Sequence, residues 1–426
     1  MRISAVLTAG LMMGLAFSGF AHAQETTLTI ISHKVHENVA RGLVAGTTGG
    51  DIAGEWAKRK GVKLNWITAN IEPMHDRLFR ELSLRETSID LAFVINKFST
   101  PKISSLLEPL EAWQQKAPIE AFDQIPPNLL GAVRYDGKLA AIPFRHATTG
   151  LHWNSALFKE QGIEGPPKTA DELIAAARKL TYTRADGTRV NGLTMNSGDE
   201  HLAVLTFLNM FGAELITKDV KVKADSPEMI KGLTVMAGLY KDGVLPSNYA
   251  TMTIDEVITA MQTGRAAMAI DPLARYTVYN SPQSSKFPGA INVAVEPASG
   301  PDGRKSTAMT EIWSMAIPKN AKNKELAWDL IRELSSPENT IRIALNGNGP
   351  VRPQAYQDER LKKRLPYTAE EAKAIEMALI VPSSFDSSLQ VLTIFREESQ
   401  AAVIGLKTPE DAAKSMQKRI VPLVKK

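Results

Sequence analysis

Five consecutive apolar residues, Leu91 to Ile95, preceded by Ile89 and Asp90, leave this chain little freedom in its choice of fold. A strand with one wet face alternates apolar and polar side chains, whereas an unbroken apolar run of this length reads as a strand covered on both faces, as in a parallel sheet layered between helices. An α/β fold is therefore expected. Residues 27–31 read as a first strand, and Val62, Leu64 and Trp66, alternating with polar neighbours, as a second. Ligands of open parallel sheets lie beyond the carboxyl ends of the strands, which places residues 32–37 and 96–97 near one crevice. At 426 residues the chain exceeds one ordinary core, and 44% hydrophobic with 23% charged residues describe a globular protein, so two domains are expected.

The first 23 residues read as a secretory signal peptide. Arg2 supplies the positive start, residues 6–20 are apolar and rich in small side chains, and Ala21-His22-Ala23 fits a small-x-small cleavage site. Gly10, Gly14, Ser18 and Gly19 break the apolar stretch, which is too short for a membrane anchor. No cysteine precedes the cleavage site to carry a lipid, and none occurs anywhere, which excludes disulfides, thiolate metal sites and cysteine nucleophiles. The formal net charge of +4, reduced by one on loss of Arg2, comes from scattered residues and argues against a nucleic-acid partner.

Asp136 and Gly137 are the pair a tight hairpin prefers, because both central positions take positive φ. The apolar run over 139–144 then predicts a strand. Polar and basic groups follow (Arg145, His146, Thr148, Thr149), and a second short extended segment over 151–154 leads into a helix near Ala156. Thr169, three residues before Glu172, reads as a capping box, with Leu173, Ile174, Ala177 and Leu180 at helical spacing behind it. Thr253 and Glu256 form a second such box, and Ser226-Pro227, Ser336-Pro337 and Thr408-Pro409 start further helices. The loop containing Gly42, Gly46, Gly49 and Gly50 has neither a GxGxxG pattern nor a GK[ST] ending, so it does not read as a nucleotide cradle.

Three words in this order, DGKLAAIPF, GLHWNSALFKEQGI and PPKTADELIAAARKLT, resemble the family 1 extracellular solute-binding proteins of ABC importers, the group of maltose-binding and glycerol-phosphate-binding proteins. Trp153-Asn154 keeps the family's aromatic before Asn, while Ala170 stands where the family has Trp. LEPL from Leu107, TGRAAMAI from Thr263, residues 291–297, IWSMAIPKNAKNKELAWDLIREL and the loop from Asn348 to Arg352 extend the resemblance over nearly all of the mature chain. It implies a type II periplasmic-binding-protein fold, two α/β lobes joined by three hinge crossings, with C-terminal helices. The boundaries expected are residues 24–146 and 297–335 for lobe 1, and 147–296 and 336–426 for lobe 2, with hinges near Pro143 and Pro297.

The crevice so placed offers His33, His36, Asn96, Arg145, His146, Asp271, Arg275, Glu311 and Arg352, with Trp313 as an aromatic plate. Sugars suit that mixture, since hydroxyls take polar donors and acceptors while the CH face of a ring stacks on an aromatic. An Arg fork, Arg145 first, would also suit a carboxylate, phosphate or sulfonate. His33 and His36 stand three apart, not at the spacing of HExxH, so no metal is expected. No GxSxG elbow is present, and Glu397-Glu398 point apart on a helix, so no catalytic residue and no cofactor are expected.

The resemblance thus implies a monomeric periplasmic protein, not an enzyme, that captures a sugar, polyol or sugar derivative and delivers it to ABC importer permease subunits in the inner membrane. Two alternatives are a periplasmic enzyme centred on His33 and His36, and a sensor that presents its liganded form to a receptor. The leader carries the first prediction: mass spectrometry of the exported protein finds Gln24 at the mature N-terminus, and any other terminus refutes the cleavage site.

Overall fold

The computed structural model describes residues 26–44, 46–198, 201–297, 308–381, 383 and 385–424; the expected signal peptide and cleavage site lie outside the described residues. Eight strands build the framework: β1 (Thr27–His33), β2 (Lys63–Ala69), β3 (Leu91–Ile95), β4 (Ile142–Asn154), β5 (Thr194–Met195), β6 (Met268–Pro272), β7 (Ile291–Ala294) and β8 (Thr310–Ala316). Their order is β2-β1-β3-β8-β4-β6-β5, with β7 also on β4. β1 runs parallel to β2 and β3, and all five residues of β3 are buried, as expected of a strand covered on both faces. The hairpin at Asp136 and Gly137 forms with φ of 48° and 78°. Thr253 and Glu256 make a reciprocal capping box, whereas Glu172 accepts from the N–H of Lys168 while Thr169 caps Glu172. Among the described residues no helix is long and apolar enough to cross a membrane.

β4 is one strand of 13 residues, not two segments parted by a polar stretch. Residues 142–148 pair with β8, while residues 149–154 pair with β6 on one side and β7 on the other. The polar residues stay extended because ladder partners are supplied on both sides of the join. Their side chains are also satisfied there: the Thr148 hydroxyl donates to Thr310 Oγ1 at 2.9 Å, and Thr149 Oγ1 accepts the N–H of Met309 at 3.0 Å. Gly150 follows, where a Cβ would lie 2.1 Å from Leu273 Cδ2.

Two hydrophobic cores flank the join. One holds residues of the segment 28–144 and of 308–375, with Leu273 reaching across into it. The other holds residues of 151–270 and 385–424, with Met309. The boundary expected after residue 335 is therefore corrected. Ile343, Ala344 and Leu345 of the helix Pro337–Leu345, and Ala374 and Ile375 of the helix Thr368–Met377, belong to the first core, so the chain passes to the second between Ile375 and Phe385. The C-terminal helices Ser388–Val403 and Pro409–Ile420 pack in the second core.

The glycine loop accounts for the chain staying with the first core beyond residue 335. Asn346 accepts the N–H of Gly49 at 2.9 Å and donates to the carbonyls of Val39 and Gly50, while Arg342 Nε donates to the carbonyl of Gly49 at 2.8 Å. The loop is a seat for the helix Pro337–Leu345. A Cβ on Gly49 would stand 1.8 Å from the Arg342 carbonyl oxygen, which is backbone and cannot swing aside. Gly49→Ala is accordingly expected to lower unfolding free energy by about 1–3 kcal/mol, the usual cost of overpacking, measured by denaturant melts against wild type.

Candidate functional site

The carboxyl ends of β1 and β3, the middle of β4 and the exit of β6 meet where the two lobes face each other. His33, at the end of β1, caps the helix Lys34–Arg41 through Nδ1, which accepts from the N–H of Val35 at 3.4 Å, so Nε2 carries the proton of the neutral ring. Burial, then the nearby Arg145, lowers its pKa. Arg145 lies in β4, cross-strand from Trp313 of β8. It remains partly exposed, yet its Nε is shielded from solvent and makes no hydrogen bond. Burial, and after it the like charge of Arg275, depresses its pKa to about 10, with Glu371 opposing, so it stays cationic at neutral pH.

From the second lobe come Asp271 and Arg275. The Asp271 carboxylate accepts from the Tyr279 hydroxyl at 2.6 Å and lies 3.9 Å from Arg275 Nε. Burial raises its pKa to about 6 against the pull of Arg275 and Tyr279. Tyr276, beside Arg275, meets Tyr367 of the first core with ring centroids 5.1 Å apart, an aromatic contact between the lobes. Glu311 makes a second one: Lys97 Nζ lies 3.1 Å from its carboxylate and His201 Nε2 of the other lobe 3.5 Å away.

The remaining expected site residues are buried in the protein's own packing and hydrogen bonding. His36 is fully buried, stacked on Phe93 at 4.7 Å, and neither of its ring nitrogens has a hydrogen-bond partner. Burial, then Arg145, drives its pKa well below the usual value, so the ring is neutral. Trp313 lies under His33, His36 and His75 as core, not as an open plate. Asn96 spends its Oδ1 on the N–H of Ile312 at 2.9 Å. His146 lies between Thr148 Oγ1 at 2.9 Å and the Tyr356 hydroxyl at 2.7 Å, and burial lowers its pKa to about 3. Arg352 donates to the carbonyls of Ala121, Glu120 and Ser335, tying together loops of the first lobe. Both terminal nitrogens are thus engaged within the lobe, while Nε is buried without a partner.

Sequence reasoning missed His201 and Glu371. Glu371 is buried in the helix Thr368–Met377 with its pKa raised to about 8 by burial, against the Tyr356 hydrogen bond and Arg145. Nothing in the sequence separates it from its neighbour Glu370, which the same helix leaves nearer the surface. Chemically, the gap offers cations and hydrogen-bonding groups to a polar solute. Among the described residues no cluster of three or more His, Asp or Glu is placed to hold a metal.

Comparison with known proteins extends this picture. Residues 52–368 match the family described as bacterial extracellular solute-binding protein. A probable ABC transporter-binding protein of Deinococcus radiodurans is 24% identical, over 98% of this chain and 97% of the relative. Among solved structures, a maltose-bound MalE3 of T. maritima superposes with a TM-score of 0.79 at 24% identity, covering 92% of this chain and 98% of that one. A solute-binding protein of Thermotoga lettingae bound to alpha-D-tagatose has a TM-score of 0.78 at 25% identity, covering 94% of this chain and all of its own.

The buried Glu371 gives a pH signature. Its carboxyl holds in the folded state a proton that the unfolded chain has released, so its contribution to stability is lost as pH rises from about 4.5 towards 8. Glu371→Gln cannot ionise. Its melting temperature is expected to exceed that of wild type at pH 8, with the gap narrowing towards pH 5; a pH-independent difference would show that Glu371 is ionised in the folded protein.

Proposed function

Since this chain belongs to the bacterial extracellular solute-binding proteins, we propose that it is the periplasmic binding component of an ABC importer, holding a carbohydrate, polyol or sugar derivative between its lobes for permease subunits in the inner membrane. The observation that carries this reading is β4, whose two halves are hydrogen-bonded into different lobes, so that the strand itself is the hinge. A solute that touches His33 and Arg145 on one side and Arg275 on the other interacts differently with the open and closed forms. That difference is what shifts a two-state equilibrium. Polar groups for hydroxyls and the Tyr276–Tyr367 aromatic pair suit a sugar, and the two structural neighbours above hold maltose and tagatose. The protein works as a monomer without cofactor or turnover.

The enzyme alternative has less to stand on, since His36 is enclosed by Phe93, Phe144 and Trp313 and cannot touch a substrate. A thermal-shift panel of sugars, polyols, sugar acids and phosphodiesters identifies the solute, because a ligand of the native state raises its melting temperature by mass action. With that solute at saturation, small-angle scattering is expected to give a smaller radius of gyration, and the solute is expected back unchanged. An unchanged radius counts against hinge closure, and a product formed by wild type but not by His33→Ala restores the enzyme.

A further inference from the structure

The hinge strand carries a charge that the protein itself does not balance. Arg145 has no hydrogen-bond or ion-pair partner among the described residues, although its Nε is wholly shielded from water. Resting on the solute-binding reading above, we propose that the solute is a monoanion, a carboxylate on a sugar or polyol frame, and that Arg145 is the residue that binds the carboxylate.

The groups facing Arg145 from every side leave this vacancy in the charge balance. From the second lobe, Arg275 stands against Asp271 at 3.9 Å, a cation and an anion that offset each other. From the helix behind β4, Glu371 is buried against Tyr356 and holds its proton at neutral pH. From β1 and the helix after it, and from β4 itself, His33, His36 and His146 are all held neutral by burial. Further along the cleft Lys97 and Glu311 pair at 3.1 Å. One positive charge is left over, on Arg145. A guanidinium whose Nε is shielded and unpaired is only partly satisfied by the water at its exposed end, and a neutral solute would leave its charge unbalanced. A phosphate monoester, carrying about 1.5 to 2 negative charges, would bring more than the site lacks. A carboxylate brings one, and its two oxygens fit the guanidinium fork.

Position adds a mechanical consequence. Arg145 stands three residues before the join at Thr148, on the strand common to both lobes, and the like charge of Arg275 across the gap acts on it. That repulsion opposes closure of the empty protein. An anion between the two guanidiniums turns the repulsion into attraction, so the same charge that recognises the solute favours the closed form.

The test uses the mature protein and matched probes: galactose with galacturonate, glucitol with gluconate, and glucose 6-phosphate, each by calorimetry and thermal shift. At least one acid is expected to bind about tenfold or more tightly than its neutral partner, the scale of a charge-assisted hydrogen bond. In Arg145→Gln that preference is expected to vanish while the unliganded melting temperature stays level or rises, because an unpaired ion has been removed; a structural arginine would give a fall. Equal affinity, within about twofold, for an acid and its neutral partner overturns the inference, being well under that scale, and leaves the sugar-binding reading standing. Tightest binding of glucose 6-phosphate overturns the single-charge count. No response to any of these probes or to the wider sugar and polyol panel overturns both. Because the wild-type pairs decide the question by themselves, a variant that fails to fold does not remove the test.

Discussion

The backbone ladder of β4 is the constraint on which the rest of the molecule depends. Its first half is locked to β8 and its second to β6 and β7, so each lobe is fixed to its own half of the strand and the freedom left lies at the join. There the hydroxyls of Thr148 and Thr149 reach Thr310 and Met309, which fasten the strand to the incoming end of β8. Two of the passages between lobes therefore run side by side. A small rotation of one half against the other is amplified at the far ends of the strands, where His33, Asp271 and Arg275 sit, because packed lobes move as bodies and do not deform continuously.

Burial at the join and in the gap makes carboxylate charge costlier and shifts each acid towards its protonated form. Asp271, Glu296 and Glu371 all have their pKa values raised, to about 6, 7 and 8, with desolvation the leading cause in each. Both carboxyl oxygens of Glu296 are buried, and the pull of Thr149 only partly opposes the rise, an environment that suits a neutral acid better than a carboxylate. These groups report on closure as well as on stability. Any opening that wets one of them lowers its pKa and releases a proton, so solute binding and proton uptake are linked wherever closure dries them.

How far the sequence could be read follows from what each residue depends on. Leu91 to Ile95 declared a two-sided strand because both faces are written in its own side chains, and Asp136-Gly137 declared a turn because φ is a local property. The strand through Arg145 and Thr149 was hidden, since its polar residues are held extended by partners at 268–272 and 310–315, over 110 positions away in the chain. The third passage was hidden for a related reason. The apolar stripe of the helix Pro337–Leu345 says that it packs but not against which lobe, and the answer rests on Asn346 and Arg342 meeting the glycine loop. Glu371 and Glu370 differ only by which side of one helix faces the core.

Arg352 and Arg145 show why site residues are the hardest to read, and why the difference between them matters. As letters they are equivalent, each following a run that the family resemblance brings near the crevice. Arg352 finds three carbonyls, from Glu120, Ala121 and Ser335, converging on its guanidinium, and the cost of burying it is offset within the lobe. Arg145 meets histidines held neutral, a glutamate that keeps its proton and a second arginine. The fold can surround a guanidinium with acceptors, as it does at Arg352, and at Arg145 it does not. An interaction already satisfied in the empty protein has nothing to add when a solute arrives, because only contacts that differ between two states can shift their balance. On the reading proposed above, the unsatisfied arginine on the shared strand is the one that would tell an empty cleft from a filled one.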